Sequence, residues 1–505
     1  MKDIGPRKWW AMGAIALAAI AFSLDLTVLN LALPTLSKAL HATTSNLQWI
    51  ADAYALVLAV LTLPAGLLGD RFGRKKLMIF ALGVFGAASL LCAYSTSVAM
   101  LICARLLLGV GAAFILPLGM SVVPVYFSEK ERTKALAALM GGVFLAYPLG
   151  PILGGWLLTH YWWGSVFLIN LPVVAVAMIA IAAFLPESKS SEQHRIDIVG
   201  IGLSSIGLTG ITYGAIEAET VGWNNGRVVS ALIVGAVLLA LFAVWEKRQV
   251  RRKKLPLVDT RLFGSAGFTW GTLLMTSVNF SLFGLLFGLP QYLQAVRGYN
   301  ALHAGYYLLP MIGGLMIGSV ASSKFAQAVG TKIAATVGFA IMATGLLLGA
   351  GTTLASSGSF IITWTAVIGL GLGFAMPTVA DAALSALSAE RSASGTALIS
   401  AVRQVGGTLG IALLGTALGA SYRSHLHLAG LPSQVAEPIR GGVNAGVAIA
   451  QKINSPALLT NIRTAFVHGQ SVMLWVCSGI AASAVILALL FLPNIRERKN
   501  SAKEL

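Results

Sequence analysis

The stretch Leu24-Asp25-Leu26-Thr27-Val28-Leu29-Asn30-Leu31-Ala32-Leu33-Pro34 closes an apolar run that begins near Trp9. About 20 residues at 1.5 Å rise each cross the hydrocarbon of a bilayer as one helix. Lys2, Arg7 and Lys8 precede the run as they would a signal peptide. A cleaved signal core is shorter, however, and this run contains Asp25. It reads as a retained membrane helix with a carboxyl group inside it.

Similar runs recur along all 505 residues, giving fourteen candidate spans. They lie at roughly 9–33, 47–69, 77–95, 98–122, 135–158, 164–185, 198–216, 227–246, 266–290, 302–322, 333–354, 360–384, 396–419 and 469–492. Composition agrees: 57% of residues are hydrophobic, 10% are charged and the mean hydropathy is +0.81. A soluble domain carries about 25% charged residues, so an ordinary soluble enzyme is excluded, as is a disordered chain. Cys92, Cys103 and Cys477 all lie in apolar runs, without disulfide or zinc spacing.

The net charge of +17 is informative through its placement. An even number of spans puts both termini on one side. With that side cytosolic, inner segments hold 26 Lys and Arg and outer loops hold 7, leaving Arg105 and Arg403 within spans. This asymmetry supports cytosolic termini and the span count. The basic run Lys247 to Lys254 reads as an anchor at the cytosolic surface, or a contact with anionic lipid, and needs no nucleic acid.

Segments 186–196 and 247–261 are linker-like and bracket the seventh and eighth spans. The expected all-α integral membrane fold has a six-helix bundle over 1–190, two additional helices over 191–256, and a second six-helix bundle over 257–505. The last part includes an outer loop at 421–468, in which Gly446 to Ile453 and Leu458 to His468 suggest a short helical hairpin. Gly150-Pro151-Ile152-Leu153-Gly154-Gly155 in the fifth span and Gly406-Gly407-Thr408-Leu409-Gly410 in the thirteenth form a weak internal repeat. Small residues at such spacing allow helices to approach closely, and internal duplication is common among secondary transporters.

An ionisable group in hydrocarbon costs about 2.5–3.5 kcal/mol even on the mild insertion scale. Helical rise puts Asp25, Asp52 and Arg105 at similar depth in the outer half of three different spans. Asp25 and Asp52 are therefore candidate sites for a proton or a cationic substrate, tuned by Arg105, with a purely structural ion pair as the alternative. For this, Asp25 must face a water-accessible chamber between the bundles. Asp381 and Arg403 fall in the inner third, as a structural pair or a coupling element. Trp49 and Tyr54 lie near Asp52 and can stack on a lipophilic cation, although most tryptophans at span ends are interfacial anchors. Asn30 joins them as a candidate cavity residue.

The second span ends in Gly66-Leu67-Leu68-Gly69-Asp70-Arg71-Phe72-Gly73-Arg74-Lys75-Lys76. Glycines permit a tight turn here, Asp70 can cap the following helix, and the basic cluster holds the loop at the membrane surface. Gly66, Gly69, Asp70, Arg71, Gly73 and Arg74 are also candidate gate residues. Pro148 and Pro151 remove backbone donors from the fifth span and suggest a kink.

These motifs resemble the major facilitator superfamily, in its fourteen-helix branch of drug:proton antiporters. The resemblance rests on the stretch from Leu24 to Pro34, the loop from Gly66 to Lys76, Leu101-Ile102-Cys103-Ala104-Arg105 through Gly109-Val110-Gly111-Ala112-Ala113, and the fifth-span motif with Gly150, Pro151, Gly154 and Gly155. Gln48-Trp49-Ile50-Ala51-Asp52-Ala53-Tyr54 is similar to pumps for quaternary ammonium compounds and cationic dyes. The resemblance implies a bacterial-type inner-membrane exporter of lipophilic cations that is powered by the proton gradient without a cofactor. It implies roles for Asp25 and Arg105 in proton or substrate handling. Small molecules, protons and membrane lipids are the expected partners of a monomeric chain. Arg403 and Gln404 stand where some such pumps carry acids, a departure that speaks against divalent cations.

Export of a lipid, antibiotic or amino-acid-like metabolite is the alternative on the same scaffold. A non-transporting receptor using the outer loop ranks lower. Neither paired catalytic carboxylates, a Ser/His couple nor a metal-spaced His cluster marks the spans as an enzyme, and His425, His427 and His468 read as solvated loop residues.

Overall fold

A computed structural model describes residues 7–189, 197–252, 257–385, 387, 392–428 and 430–494. Lys2, Arg195, Lys253, Lys254, Arg391 and the tail after 494, which entered the charge count, lie outside the described residues. The described residues form helices α1 (Arg7–Ala39), α2 (Thr44–Phe72), α3 (Arg74–Ala93), α4 (Val98–Tyr126), α5 (Glu129–His160), α6 (Ser165–Leu168), α7 (Asn170–Phe184), α8 (Ile198–Val221), α9 (Gly226–Arg251), α10 (Ala266–Gln291), α11 (Ala301–Val329), α12 (Thr331–Ala350), α13 (Gly358–Leu384), α14 (Ser392–Ser424), α15 (Ser433–Gly441), α16 (Val443–Lys452) and α17 (Pro456–Phe491). Thirteen segments are long and apolar enough to cross a membrane, and α2, bent by 58° between Thr62 and Pro64, supplies a fourteenth. The start of α1 and the end of α17 share one face, called the terminal face; the opposite face is distal.

Two buried cores organise these helices. One draws on α1 to α7, with residues such as Leu33, Phe85, Leu108 and Ile115. The other draws on α10 to α17, with Phe339, Trp364, Leu414 and Met473. The additional helix α8 packs on α2 and α14 through Leu208, Ala215 and Ile216, so it lies along the seam between the cores. Helix α9 pairs with α8 and is otherwise largely exposed, as a lipid-facing helix is.

Several sequence expectations change. Helix α5 runs unbroken through Pro148 and Pro151, and the 58° bend lies at Pro64 in α2. The sixth span divides into α6 and α7 around Ile169. The hairpin on the distal face is α15 and α16, capped by Gly442, whereas Leu458 to His468 opens α17, continuous with the last span. Tyr422 donates from its hydroxyl to the Ile439 carbonyl at 2.9 Å, holding the hairpin against the end of α14.

Candidate functional site

The expected cluster of Asp25, Asp52 and Arg105 is only partly formed. Arg105 Nη1 lies 2.5 Å from Asp25 Oδ2, with each side chain 1% exposed. The other carboxylate oxygen accepts from Asn170 Nδ2 at 3.4 Å, and the same amide reaches Ser89 Oγ at 3.3 Å. Arg105 Nε donates to the Ile50 carbonyl at 3.2 Å, and its guanidinium lies 4.4 Å from the centre of the Tyr54 ring. Asp25 therefore faces neither lipid nor the space between the bundles, so the water-accessible placement expected of it is not met in this state. It is enclosed by α1, α3, α4 and α7, and its charge is matched. Asn170 and Ser89 were missed by sequence reasoning; a lone asparagine in an apolar span was the available signal.

Asp52 lies on a different side of α2. It is fully buried, and neither carboxylate oxygen has a hydrogen-bond partner. One turn earlier, Gln48 Nε2 donates across the seam to the carbonyls of Ala412 at 3.0 Å and Ile411 at 3.3 Å. The difference is one of helical phase. Residues 48, 52, 56 and 59 follow one stripe of α2 toward α14 and α8, while Ile50 and Tyr54 face α4.

The proposed cavity residues are also redistributed. Trp49 packs on Tyr213 of α8, with ring centres 6.3 Å apart, and Tyr54 lies under Arg105 inside the first core. Asn30 is buried, donating to the Leu26 carbonyl at 2.9 Å while its Oδ1 has no partner. The crevice between the cores is lined instead by Thr27, Tyr147, Pro151, Leu282, Leu286, Leu308, Met311, Ile312 and Leu315. Its cavity of about 20 Å³ has room for about one water. A drug-sized ligand needs about 300 Å³ or more, so the two halves must separate to admit one.

The glycine motif explains how tightly the halves meet. A Cβ on Gly154 would stand 2.8 Å from Val28 Cγ1, and one on Gly150 would overlap the Thr27 side chain, so these glycines seat α5 on α1. Gly155 faces the other way: its Cβ would stand 2.7 Å from Leu302 Cα, while the Pro151 carbonyl presses on Gly305. Those two residues join α5 to α11 across the seam. The second half repeats the pattern, with Gly406 and Gly410 seating α14 on Thr276 and Phe280 of α10, and Gly415 meeting Gln48 of α2. Toward the distal face the seam is further joined by Thr44 donating to the Gly441 carbonyl at 3.2 Å and Gln294 donating to the Leu31 carbonyl at 2.8 Å.

At the terminal face, Gly73 takes a φ of +103°, a conformation suited to glycine. Asp70 does not cap α3; its carboxylate takes Arg74 Nη2 at 2.6 Å. The cap is Glu187, beyond α7, which accepts from the backbone amides of Lys75 and Lys76 at 3.1 Å each. Gly66 and Gly69 lie in the bent end of α2, the latter against Leu118, and Arg71 is exposed beside Phe72. These contacts of the candidate gate all stay within the first half. In the second half, Asp381 is exposed near the end of α13, and Arg403 is half-buried with an unpartnered Nε.

Residues 15–411 match the family model described as the Major Facilitator Superfamily. The chain is 32% identical over 475 residues to the methyl viologen resistance protein SmvA of Salmonella typhimurium, covering 93% of this chain and 95% of that protein. It is 33% identical over 496 residues to the multidrug efflux pump LfrA of Mycolicibacterium smegmatis, covering 96% and 94%. Among solved structures it resembles a bacterial homologue of the human lysosomal transporter Spinster, captured inward-facing and unoccupied, with a TM-score of 0.69 at 16% identity, covering 97% of this chain and 98% of that one. That likeness concerns the fold. A multi-pass chain with two repeated cores, close glycine seams and drug-efflux pumps as relatives is a membrane transporter and not an enzyme: it belongs to the Major Facilitator Superfamily.

Proposed function

We propose that this transporter exports lipophilic cations in exchange for protons by alternating access, with both termini in the cytosol. The observation that carries the reading is the complete burial of Asp25, Arg105 and Asp52 within membrane-spanning helices. Packing alone does not need such groups, and their cost argues for a role. The excess of Lys and Arg on the terminal side supports the orientation.

The geometry favours an indirect coupling. Asp25 is already matched by Arg105, so it does not hold a cation in this state. Arg105 also grips α2 through the Ile50 carbonyl and the Tyr54 ring, and the distal end of α2 seals the seam through Gln48. A proton on Asp25 removes the charge that fixes Arg105. That frees α2 to shift, the distal seal to part and cargo to leave outward. Asp52, on the same helix, is a second group whose proton is gained or lost as the seam opens and wets.

The test is efflux of ethidium, a permanently charged dye, from proteoliposomes under an imposed pH gradient. Asp25→Asn, Asp52→Asn and Arg105→Gln should each reduce gradient-driven efflux by at least tenfold. Unchanged efflux in Asp25→Asn overturns the proton-coupled reading. The lining of the crevice, apolar apart from Thr27 and Tyr147, favours a second reading in which neutral antibiotics are carried. Transport of such a compound without a response to ethidium would select it.

A further inference from the structure

Asp52 shares its buried position with two other polar groups that lack partners. Thr212 of α8 and Thr408 of α14 are fully buried, and neither Oγ1 has a hydrogen-bond partner. This is unusual for threonine in a helix, where the hydroxyl ordinarily donates back to a carbonyl one turn earlier. Thr62, Thr209, Thr276, Thr378 and Thr416 all do so here, and Thr272 of α10 is a further buried exception, away from Asp52 on another helix.

Register brings the three groups together. Toward the distal face, Trp49, Ala412, Ala215 and Ile216 form one apolar cluster of α2, α14 and α8. Toward the terminal face, Leu56, Ala59, Leu208 and Val405 form another from the same helices. Asp52 lies between 49 and 56, Thr212 between 208 and 215, and Thr408 between 405 and 412, each on its helix's contact stripe. Thr416 fixes the register of α14 against α8 by donating to the Ala215 carbonyl at 2.8 Å. The junction is thus an apolar sleeve with a carboxyl group and two spare hydroxyls at its middle.

We propose that Thr212 and Thr408 are the hydroxyl partners of Asp52 in the ionised stage of the transport cycle, which makes the additional helix α8 part of the proton-coupling apparatus. The proposal rests on the reading of Asp52 as a coupling group. In the present state the hydroxyls are disengaged and the carboxyl group is unpartnered, a setting that suits its neutral form. A small shift of α2 against α8 and α14, which opening of the seam requires, lets two O–H groups donate to the carboxylate as its proton leaves. Other titratable groups on the packed elements stand apart. Arg105 of α4, Asp25 of α1 and Tyr54 are engaged with one another. Tyr213 packs on Trp49, while Glu217 and Arg403 are each five residues from the nearer threonine. Thr212 and Thr408 are positioning residues, acting through Asp52.

The experiment measures ethidium efflux from proteoliposomes holding the full chain, across a range of pH, with folding followed by thermal unfolding in detergent. Thr212→Val and Thr408→Val keep shape and remove the hydroxyl. Each should move the pH of half-maximal efflux upward by about one unit, the size of one hydrogen bond to a charged group. Thr212→Ser should restore the original profile, and Thr212→Ala, which adds no bulk, should match the valine variant. Wild-type profiles in the valine and alanine variants, alongside a flattened profile in Asp52→Asn, overturn the hydroxyl proposal and leave Asp52 in place. A wild-type profile in Asp52→Asn overturns both.

Discussion

Arg105 and Asp25 form an ion pair 2.5 Å long whose two side chains are each 1% exposed, in a predominantly apolar core. Removing one member leaves the other charged and without a counter-charge. For buried pairs this costs about 3–5 kcal/mol, more than the pair itself contributes over an apolar substitute. Arg105→Met should therefore lower the thermal midpoint sharply, and Asp25→Asn/Arg105→Met should recover much of the loss while remaining inactive in efflux. A double variant no more stable than Arg105→Met would mean that the guanidinium acts chiefly by gripping α2.

The contact of Gly155 with Leu302 makes a different prediction, about motion. Gly154 seats α5 within its own half, so a side chain there strains that half in every state. The atoms nearest a Cβ on Gly155 belong to Ala301 and Leu302 of α11, across the seam, so a side chain there opposes chiefly the state in which the distal seam is shut. Gly155→Val should preserve the thermal midpoint within a few degrees, abolish efflux and leave a cysteine at position 302 open to a water-soluble thiol reagent. Gly154→Val should lower the midpoint without that selective exposure. Equal labelling of both backgrounds would remove the distinction between seating and sealing.

The spans were legible in the sequence because burial in hydrocarbon demands long apolar runs, and Arg105 and Asp25 were legible because charge there is costly. Their separation from Asp52 was not. Depth along a helix follows from counting residues, but the side a residue faces depends on helix rotation, and α2 is apolar nearly all round, so its pattern gives no phase. The same uniformity hid the true placement of Trp49 and Tyr54. Glu187 escaped notice for another reason. It follows α7 at the membrane surface, where a carboxylate is ordinary, and only the tertiary fold carries it to α3.

That cap permits a cycle of variants at the terminal face. Glu187→Ala removes the acceptor of two amides and should cost about 1 kcal/mol, as other helix caps do. Gly73→Ala should cost more, since its φ of +103° disfavours a side chain and its Cβ would stand 2.6 Å from Glu187 Oε1. In the double variant the steric part disappears and the backbone part remains, so the combined loss measured by thermal unfolding should fall below the sum of the two. Strict additivity would place the whole effect of Gly73 in its dihedral angle.

The start of α1 is tied to the start of α5 by Lys8, whose ammonium lies 2.9 Å from Glu131, while Glu131 also closes a capping box with Ser128. Hydrogen bonds from Lys8 and Ser128 hold the Glu131 carboxyl down at about 2, against an ordinary 4.5. A carboxyl depressed in the folded state contributes stability that is fully present above its unfolded value. That contribution is lost as pH falls toward 2, so acid should loosen the joint only below about pH 4.5. Lys8→Met removes the first and largest of these hydrogen bonds, so the carboxyl should titrate closer to its ordinary range and the variant's deficit should narrow as acid removes the wild-type advantage. Thermal midpoints of both proteins in the same detergent at pH 7, 4.5 and 3 supply the check. A deficit that stays constant across these values would show that Lys8 contributes through its ammonium over the Phe127 ring, 5.8 Å from the ring centre, and not through Glu131.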